Sequence, residues 1–533
     1  MPAATQRRRK KVKPASKDAA TPGNPWLSII FSAASGAVLG LSAPGFGYWF
    51  LAWAGLVPFL LLTVSASGPA QAFLRGGCFA LAYNLVYLNW YLGLYPLNWL
   101  GFNDWQSAAL AALAWLIVCT HQALITGGFA SLIRVLPLTG GFLPARLEER
   151  WHVPSLIVLP LLWVLIHNKL ANAHDLLGVP WTMLEYSQYR QLPLIQIASI
   201  VGGVGLGSLL VMSNVALAGA VATLSSKLSW KPLASRTNGD CARQLMVVAL
   251  AVAVAWAWGS STLTSRAERQ PISVCVLQPN VNIDMQKTVH RYTLSELLLR
   301  ESKMIADCKP GLCVLSEGSL PAYLKQEKSA SAALCDLSKK HAVDLVVGTL
   351  DQDADGHPFN SAVGVTSGGK LLPDVYHKRY LVPFGEYTPV LVRYMPEWIQ
   401  RLTNTPAGSG FSAGQQPVVL RLESGDVAPL ICFETISPEL VAASVRKGGE
   451  LIVNLSDLAW FHHSMIGEQM IAFSVFRAIE NKRYFVFAAN SGPSAIIDPD
   501  GRIDAASGLG TQEILTGKAA IESELTPFTF WFR

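Results

Sequence analysis

The chain has 533 residues, of which 51% are hydrophobic and only 15% charged, with a mean hydropathy of +0.32. That balance excludes an ordinary soluble protein and points to a membrane protein with room for a further domain. The formal charge of +6 does not imply a nucleic-acid partner, because the basic residues form no aromatic-laced patch and many lie in Met1–Lys17, where RRRKKVK reads as a cytoplasmic anchor.

A helix of about 20 apolar residues crosses the hydrocarbon core. No charge occurs from Trp26 to Leu74, so this stretch must fold back, with the break at Pro44–Gly47 and helices near 26–43 and 47–65. Further helices are expected near 72–92, 105–133, 151–168, 195–222 and 244–263. This gives a basic cytoplasmic tail over 1–25 and a membrane domain of seven transmembrane helices over 26–265. A cleaved signal peptide is not expected, since the apolar sequence after Trp26 is too long and runs into more of the same. Arg134, Arg146 and Arg150 in one connection, and Lys227, Lys231, Arg236 and Arg243 in another, mark the cytoplasmic side. Everything after about Arg266 then lies outside the cytoplasm. Tyr83, Tyr87, Trp90, Tyr91, Tyr95, Trp99, Trp105, Trp181 and Tyr186 crowd the outer ends, as an interfacial belt or as the frame of a lateral entrance for acyl chains. Arg75 and His167 near hydrocarbon are either functional or snorkelling.

After Ser265 charges return and short strand-like runs alternate with helical ones. Strands are expected at Ile272–Gln278, Leu312–Ser316, Val343–Thr349, Ser361–Thr366, 427–431, 451–455, 484–489 and 494–497, and helices at 286–307, 438–447 and 464–480. The order describes a layered α/β domain over 266–533. No GxGxxG or Gly-rich lysine loop suggests nucleotide chemistry, and the eight cysteines contain no CxxC pair for a metal. Cys308 and Cys313 are close enough in sequence for a local disulfide.

Three strand ends carry ionisable groups in apolar surroundings: Glu317 in VLSEGSLP, Lys378 in YHKRYLVPFGEY and Cys432 in APLICFETIS. Taken singly they fit a surface glutamate, a surface lysine and a buried structural cysteine equally well. A strand delivering Cys432 to its tip, however, would place a nucleophile where backbone N–H groups meet a developing oxyanion.

Together these blocks resemble the signatures of the nitrilase, or carbon–nitrogen hydrolase, superfamily. Behind membrane helices they resemble its membrane-bound, lipoprotein-acylating branch. The resemblance implies a polytopic α-helical membrane domain followed by a periplasmic nitrilase-like α/β domain, an αββα sandwich. It implies Glu317 as general base, Lys378 as the triad lysine and Cys432 as nucleophile, with Glu386 and Glu434 as supporting glutamates. Phe433 stands where a tyrosine is common, which keeps the ring and removes a hydroxyl. DLAW at Asp457–Trp460 resembles an NDAW block, Arg477 and Glu480 a helix backing the site, and Asn490–Gly492 a turn facing it. Leu381–Ile399, with Tyr387 and Trp398, is expected either to form a lid or simply to pack as an apolar loop, as is Trp460–Phe461, with Asp457 beside the substrate.

The implied reaction moves an acyl chain from a phospholipid, through a cysteine thioester, to the N-terminal amine of a diacylglyceryl-cysteine on an apolipoprotein. No cofactor, metal or nucleic acid is implied, and the protein is expected to be a monomer in the bacterial inner membrane. Alternatives are a membrane-tethered amidase acting on a small amide, and a transporter with an outer binding domain. Members of this branch add an eighth membrane helix after a segment like LTPFT; here the sequence stops at Phe530–Arg533, leaving seven crossings expected.

Overall fold

The computed structural model describes residues 25–140, 145–147, 150–169, 181–225, 230–235, 237–264, 271–281, 293–307, 311–388, 390–394, 397, 400 and 409–532. Its first half contains helices α1 (Pro25–Gly40), α2 (Val57–Val64), α3 (Pro69–Tyr87), α4 (Asp104–Val135), α5 (Ser155–Lys169), α6 (Ala198–Leu224) and α7 (Asn238–Thr264). Among the described residues, Asp104–Val135, Ala198–Leu224 and Asn238–Leu263 are long and apolar enough to cross a membrane, and Trp26–Gly40, Trp49–Val64 and Ser155–Asn168 are shorter apolar helices.

Two helices differ from the expectation. The segment expected as one helix over 47–65 is a 3-10 turn, Trp49–Trp53, followed by α2. The break falls at Ala54–Leu56, where a side chain on Gly55 would meet Leu39 Cδ1 at 2.6 Å, and Pro58 opens the new helix. The fifth helix starts at Ser155, not 151, because residues 150–154 pair with 145–147 and 138–139 in a small sheet.

The outer aromatics are not a lipid-facing belt throughout. Tyr83, Tyr87, Trp90, Trp181 and Tyr186 are buried, whereas Tyr95 and Trp105 are exposed. The second half of the chain covers Tyr87, Trp90, Trp181 and Tyr186, through Gln469, Phe433, Phe461, Phe473 and Phe476. Arg75 does not snorkel freely either: its Nη1 donates to Leu62 O at 2.8 Å and Ser65 Oγ at 3.1 Å, closing the C-terminal end of α2. His167 is buried against Trp163 and Thr126.

The second half has strands β1 (Ile272–Gln278), β2 (Gly311–Val314), β3 (Val343–Gln352), β4 (Pro358–Thr366), β5 (Lys370–His377), β6 (Leu420–Leu422), β7 (Gly425–Ile431), β8 (Leu451–Ser456), β9 (Phe485–Ala489), β10 (Ala495–Ile497), β11 (Ile503–Ala506) and β12 (Glu513–Ala519). Its helices are α8 (Leu294–Ala306), α9 (Lys328–His341), α10 (Pro438–Arg446), α11 (Ile466–Asn481) and the short C-terminal α12 (Pro527–Trp531). The helix expected over 286–307 begins, within the described residues, at Leu294, where Thr293 and Glu296 make a capping box.

Two six-stranded sheets result, ordered β12-β1-β2-β3-β4-β5 and β11-β10-β9-β8-β7-β6. In each, three central strands are parallel and the flanking ones antiparallel. One apolar core, including Val276, Val314, Val427 and Val453, fills the space between the sheets. A second, with Leu297, Ile305 and Leu334, joins α8 and α9 to the first sheet. The third runs without a break from the membrane helices through α10 and α11 to the outer face of the second sheet. The layering is therefore helix, sheet, sheet, helix, with the last layer also packed on the membrane half. The Cys308–Cys313 bridge is not made: Cys313 is a buried cysteine outside any disulfide, on β2 with its side chain in the α8/α9 core.

Candidate active site

Strand β7 is buried over Val427–Ile431 and ends there. Cys432 then takes a left-handed conformation, φ 55°, which a residue other than glycine keeps only where its surroundings impose it. Asn454 on β8 supplies part of that restraint, donating Nδ2 to Cys432 O at 2.9 Å and to Thr435 Oγ1 at 2.6 Å. Glu434 supplies more by accepting the Ile431 N–H at 2.6 Å. The chain continues through a 3-10 turn into α10, capped by Ser437, so the thiol stands at a strand tip between the sheets.

Lys378 follows β5 and is 1% exposed. Its Nζ lies 3.1 Å from Glu317 Oε1 and 2.9 Å from Glu386 Oε1. Asn360 on β4 donates Nδ2 to the same two oxygens at 2.8 Å each. The remaining oxygens accept backbone amides, Glu317 Oε2 from Asp457 at 2.9 Å and Glu386 Oε2 from Val382 at 2.9 Å. Two carboxylates are thus fixed by one ammonium, one amide side chain and two loops.

Burial raises the pKa of the Cys432 thiol, Glu317 raises it further, and Lys378 and the Ser456 hydroxyl offset only part of this. The resting sulfur is therefore a thiol and needs a base. Burial also raises the Glu317 carboxyl, opposed by Lys378 and supported by Glu386 and Asp457. Lys378 suffers the same desolvation, but Glu317 and Glu386 outweigh it and hold the ammonium well above the ordinary lysine range. A neutral nucleophile, a carboxylate and a permanent cation share one buried cluster. This is the arrangement general-base thiol acylation requires.

Glu434 lies behind the cluster. It accepts the Tyr376 hydroxyl at 2.7 Å and the amides of Arg379 at 2.5 Å and Tyr380 at 3.1 Å, fastening the segment after Lys378 to the Cys432 turn. Phe433 turns toward the membrane half, its ring centroid 5.2 Å from Trp181 and 6.4 Å from Trp90. Trp460 meets Trp99 edge-on at 4.9 Å. Tyr387 bridges Pro383 and Gly410 in the loop after Lys378, where Phe384, Val390 and Tyr394 are exposed. Trp398 lies outside the described residues.

Asp457, expected beside the substrate, adjoins Glu317. It is buried, its Oδ1 accepts Asn490 Nδ2 and the Ala459 amide at 3.0 Å each, and its own N–H orients Glu317. Asn360, Tyr376 and Asn454 are site residues that pattern reading missed. Asn454 had a signal: a lone amide inside the apolar strand LIVNLS. Asn360 had none, because its role exists only once β4 lies beside Lys378.

A buried strand-tip cysteine with a lysine and two glutamates on an αββα sandwich defines a carbon–nitrogen hydrolase, and the carbon–nitrogen hydrolase family model matches residues 262–525. The apolipoprotein N-acyltransferase N-terminal domain model matches residues 35–216. The chain is 31% identical to the apolipoprotein N-acyltransferase of Geobacter metallireducens over 503 residues, 93% of this chain and 90% of that one. It is 27% identical to that of Gloeobacter violaceus over 504 residues, 94% of this chain and 90% of that one. The chain belongs to the apolipoprotein N-acyltransferase family. It is a membrane protein and an acyltransferase within the carbon–nitrogen hydrolase superfamily.

Proposed function

We propose that this enzyme takes an acyl chain from a phospholipid onto Cys432 and delivers it to the N-terminal amine of a diacylglyceryl-cysteine on an apolipoprotein. The observation that carries the reading is the buried Cys432, Glu317 and Lys378 cluster beneath a face covered by the membrane half. In the first half-reaction Glu317 takes the thiol proton as sulfur attacks the ester carbonyl. Lys378 and the Phe433 N–H stabilise the oxyanion, a contribution commonly about 3–4 kcal/mol for one such donor. The C–O bond then breaks, and the departing lysophospholipid oxygen receives the proton. In the second, the lipoprotein amine attacks the thioester, Glu317 takes its proton, and breaking the C–S bond returns the proton to sulfur.

The domain boundaries follow the same reading: a basic tail over 1–25, a membrane domain over 26–265 crossing seven times, and a catalytic domain over 266–533 on the periplasmic face of the inner membrane, acting as a monomer. The aromatic contact between Phe433 and Trp181 supports entry of lipid from the membrane side, and it disfavours a free-standing amidase.

Labelled phospholipid tests the assignment. Wild type should retain label as a hydroxylamine-sensitive thioester and Cys432→Ala none; label retained on the alanine variant would overturn it. Because Glu317 must be ionised to act and its pKa lies above the ordinary 4.5, acylation should be complete above that raised pKa and lost as pH falls through it. A rate that stayed flat down to the ordinary glutamate range would remove Glu317 as base.

A further inference from the structure

Helix α11 holds a second buried ionic cluster, against the membrane half, that the chemistry above does not use. Arg477 and Glu480 are each 1% exposed. Arg477 Nε lies 2.9 Å from Glu480 Oε2, and its Nη2 donates to Glu480 Oε1 at 3.1 Å. The same Oε1 accepts the N–H of Gly203 at 2.9 Å, one residue past the break in α6 at Gly202, φ 70° and ψ 173°. Tyr186 also faces Arg477.

Glu185 enters from the connection before α6 and is also buried. A Cβ on Gly203 would stand 3.4 Å from its Cγ, and one on Gly207 only 2.6 Å from its Oε2. Glycines four residues apart on α6 therefore open the slot in which this carboxyl lies.

Two carboxyls thus share a buried site with one guanidinium, and ionising both would leave an uncompensated buried charge. Glu480 already holds the Arg477 contacts and the Gly203 amide, so it is the anion and the proton belongs to Glu185. We infer that Glu185, Arg477, Glu480 and the Gly203 amide form a latch, neutral only while Glu185 is protonated, that seats the catalytic half on the broken helix α6 and so positions α11 behind the active site. Burial raises both carboxyls, Glu185 to about 8, with Glu480 adding and Arg477 opposing, and Glu480 to about 7; the order agrees with Glu185 being the one that keeps its proton to higher pH. The other groups facing the latch are Tyr83 and Tyr87 of α3, Tyr186, and Glu439 of α10.

The sign follows from linkage. With the folded value near 8 and an ordinary value of 4.5, the stabilisation is complete below pH 4.5 and is lost progressively up to about 8. The test is thermal melting of the full chain in detergent at pH 5.5 and 8.5, with phospholipid acylation of Cys432 as a second readout. Glu185→Gln, permanently neutral, should melt close to wild type at pH 5.5 and higher than wild type at pH 8.5 by roughly 2 °C or more. Its acylation rate relative to wild type should rise between the two pH values. Arg477→Gln should lower the midpoint, more at pH 8.5, and adding Glu480→Gln should restore part of the loss. A Glu185→Gln variant destabilised equally at both pH values would overturn the latch, and that comparison stands even if the Arg477 variant does not accumulate. The melting result does not depend on which acyl donor or acceptor the enzyme uses.

Discussion

The two outer helix layers of the catalytic half have opposite environments. On α9 only Ala330, Leu334 and Ser338 are buried, a single stripe at four-residue spacing, and Lys339 and Lys340 face solvent. On α11 every residue except Glu468 is buried. The difference comes from what lies above each helix. Nothing described covers α9, whereas α11 is held on its far side by Trp181 through Gln469 and by aromatic contacts of Phe473 with Trp181 and Tyr186. Tyr189 and Arg190 bind Glu468, while Gln196 donates to Asp500 O at 2.8 Å and accepts from Lys482 at 2.7 Å. A helix polar on one side suits a domain that ends there. One buried all round marks a seam inside a larger body, and the comparison teaches that the catalytic half is built into the membrane half rather than tethered to it.

The largest expected effect is at the seam. Phe473→Ala should cost about 3–5 kcal/mol, read as a lowered melting midpoint together with slower acylation of Cys432, because the cavity opens between α11 and Trp181. A change under 1 kcal/mol would mean that the two halves are only loosely joined. Next is Gln469→Ala, which strands the Trp181 indole N–H and the Tyr87 carbonyl; a loss of about 1–3 kcal/mol is expected, and Gln469→Glu should not restore the donor to Tyr87 O. Tyr376→Phe removes one of the donors on Glu434 and should cost about 1 kcal/mol, seen as an acylation rate roughly tenfold lower or less at unchanged phospholipid KM. On the free layer, Leu299→Ala on α8, where the side chain is 58% exposed, should move the midpoint by no more than about 0.5 kcal/mol equivalent. An effect at Leu299 as large as that at Phe473 would abolish the contrast.

How much was legible beforehand depends on the range of the interaction. Strands β1, β3, β4 and β7 to β10 announce themselves as short apolar runs between turn residues, and α10 and α11 as the segments between them. Strand β5, KLLPDVYH, did not: it contains a proline and a mostly exposed surface, as an edge strand permits. The outer aromatics misled for the opposite reason. Tyr and Trp at the ends of apolar helices suit a lipid interface and a protein seam equally, and the choice belongs to whatever packs above them.

By itself the sequence determined a membrane half, a layered α/β half, and the three motif residues, since hydropathy, alternation and motif chemistry are local properties of the chain. Only the tertiary structure decided that Asn360 joins Glu317 to Glu386, that the Asp457 N–H holds Glu317, and that Glu185 and Glu480 come together beside Gly203. Those contacts join residues far apart in sequence, and whether a polar group ends in water or in a buried partner is settled only when the layers close.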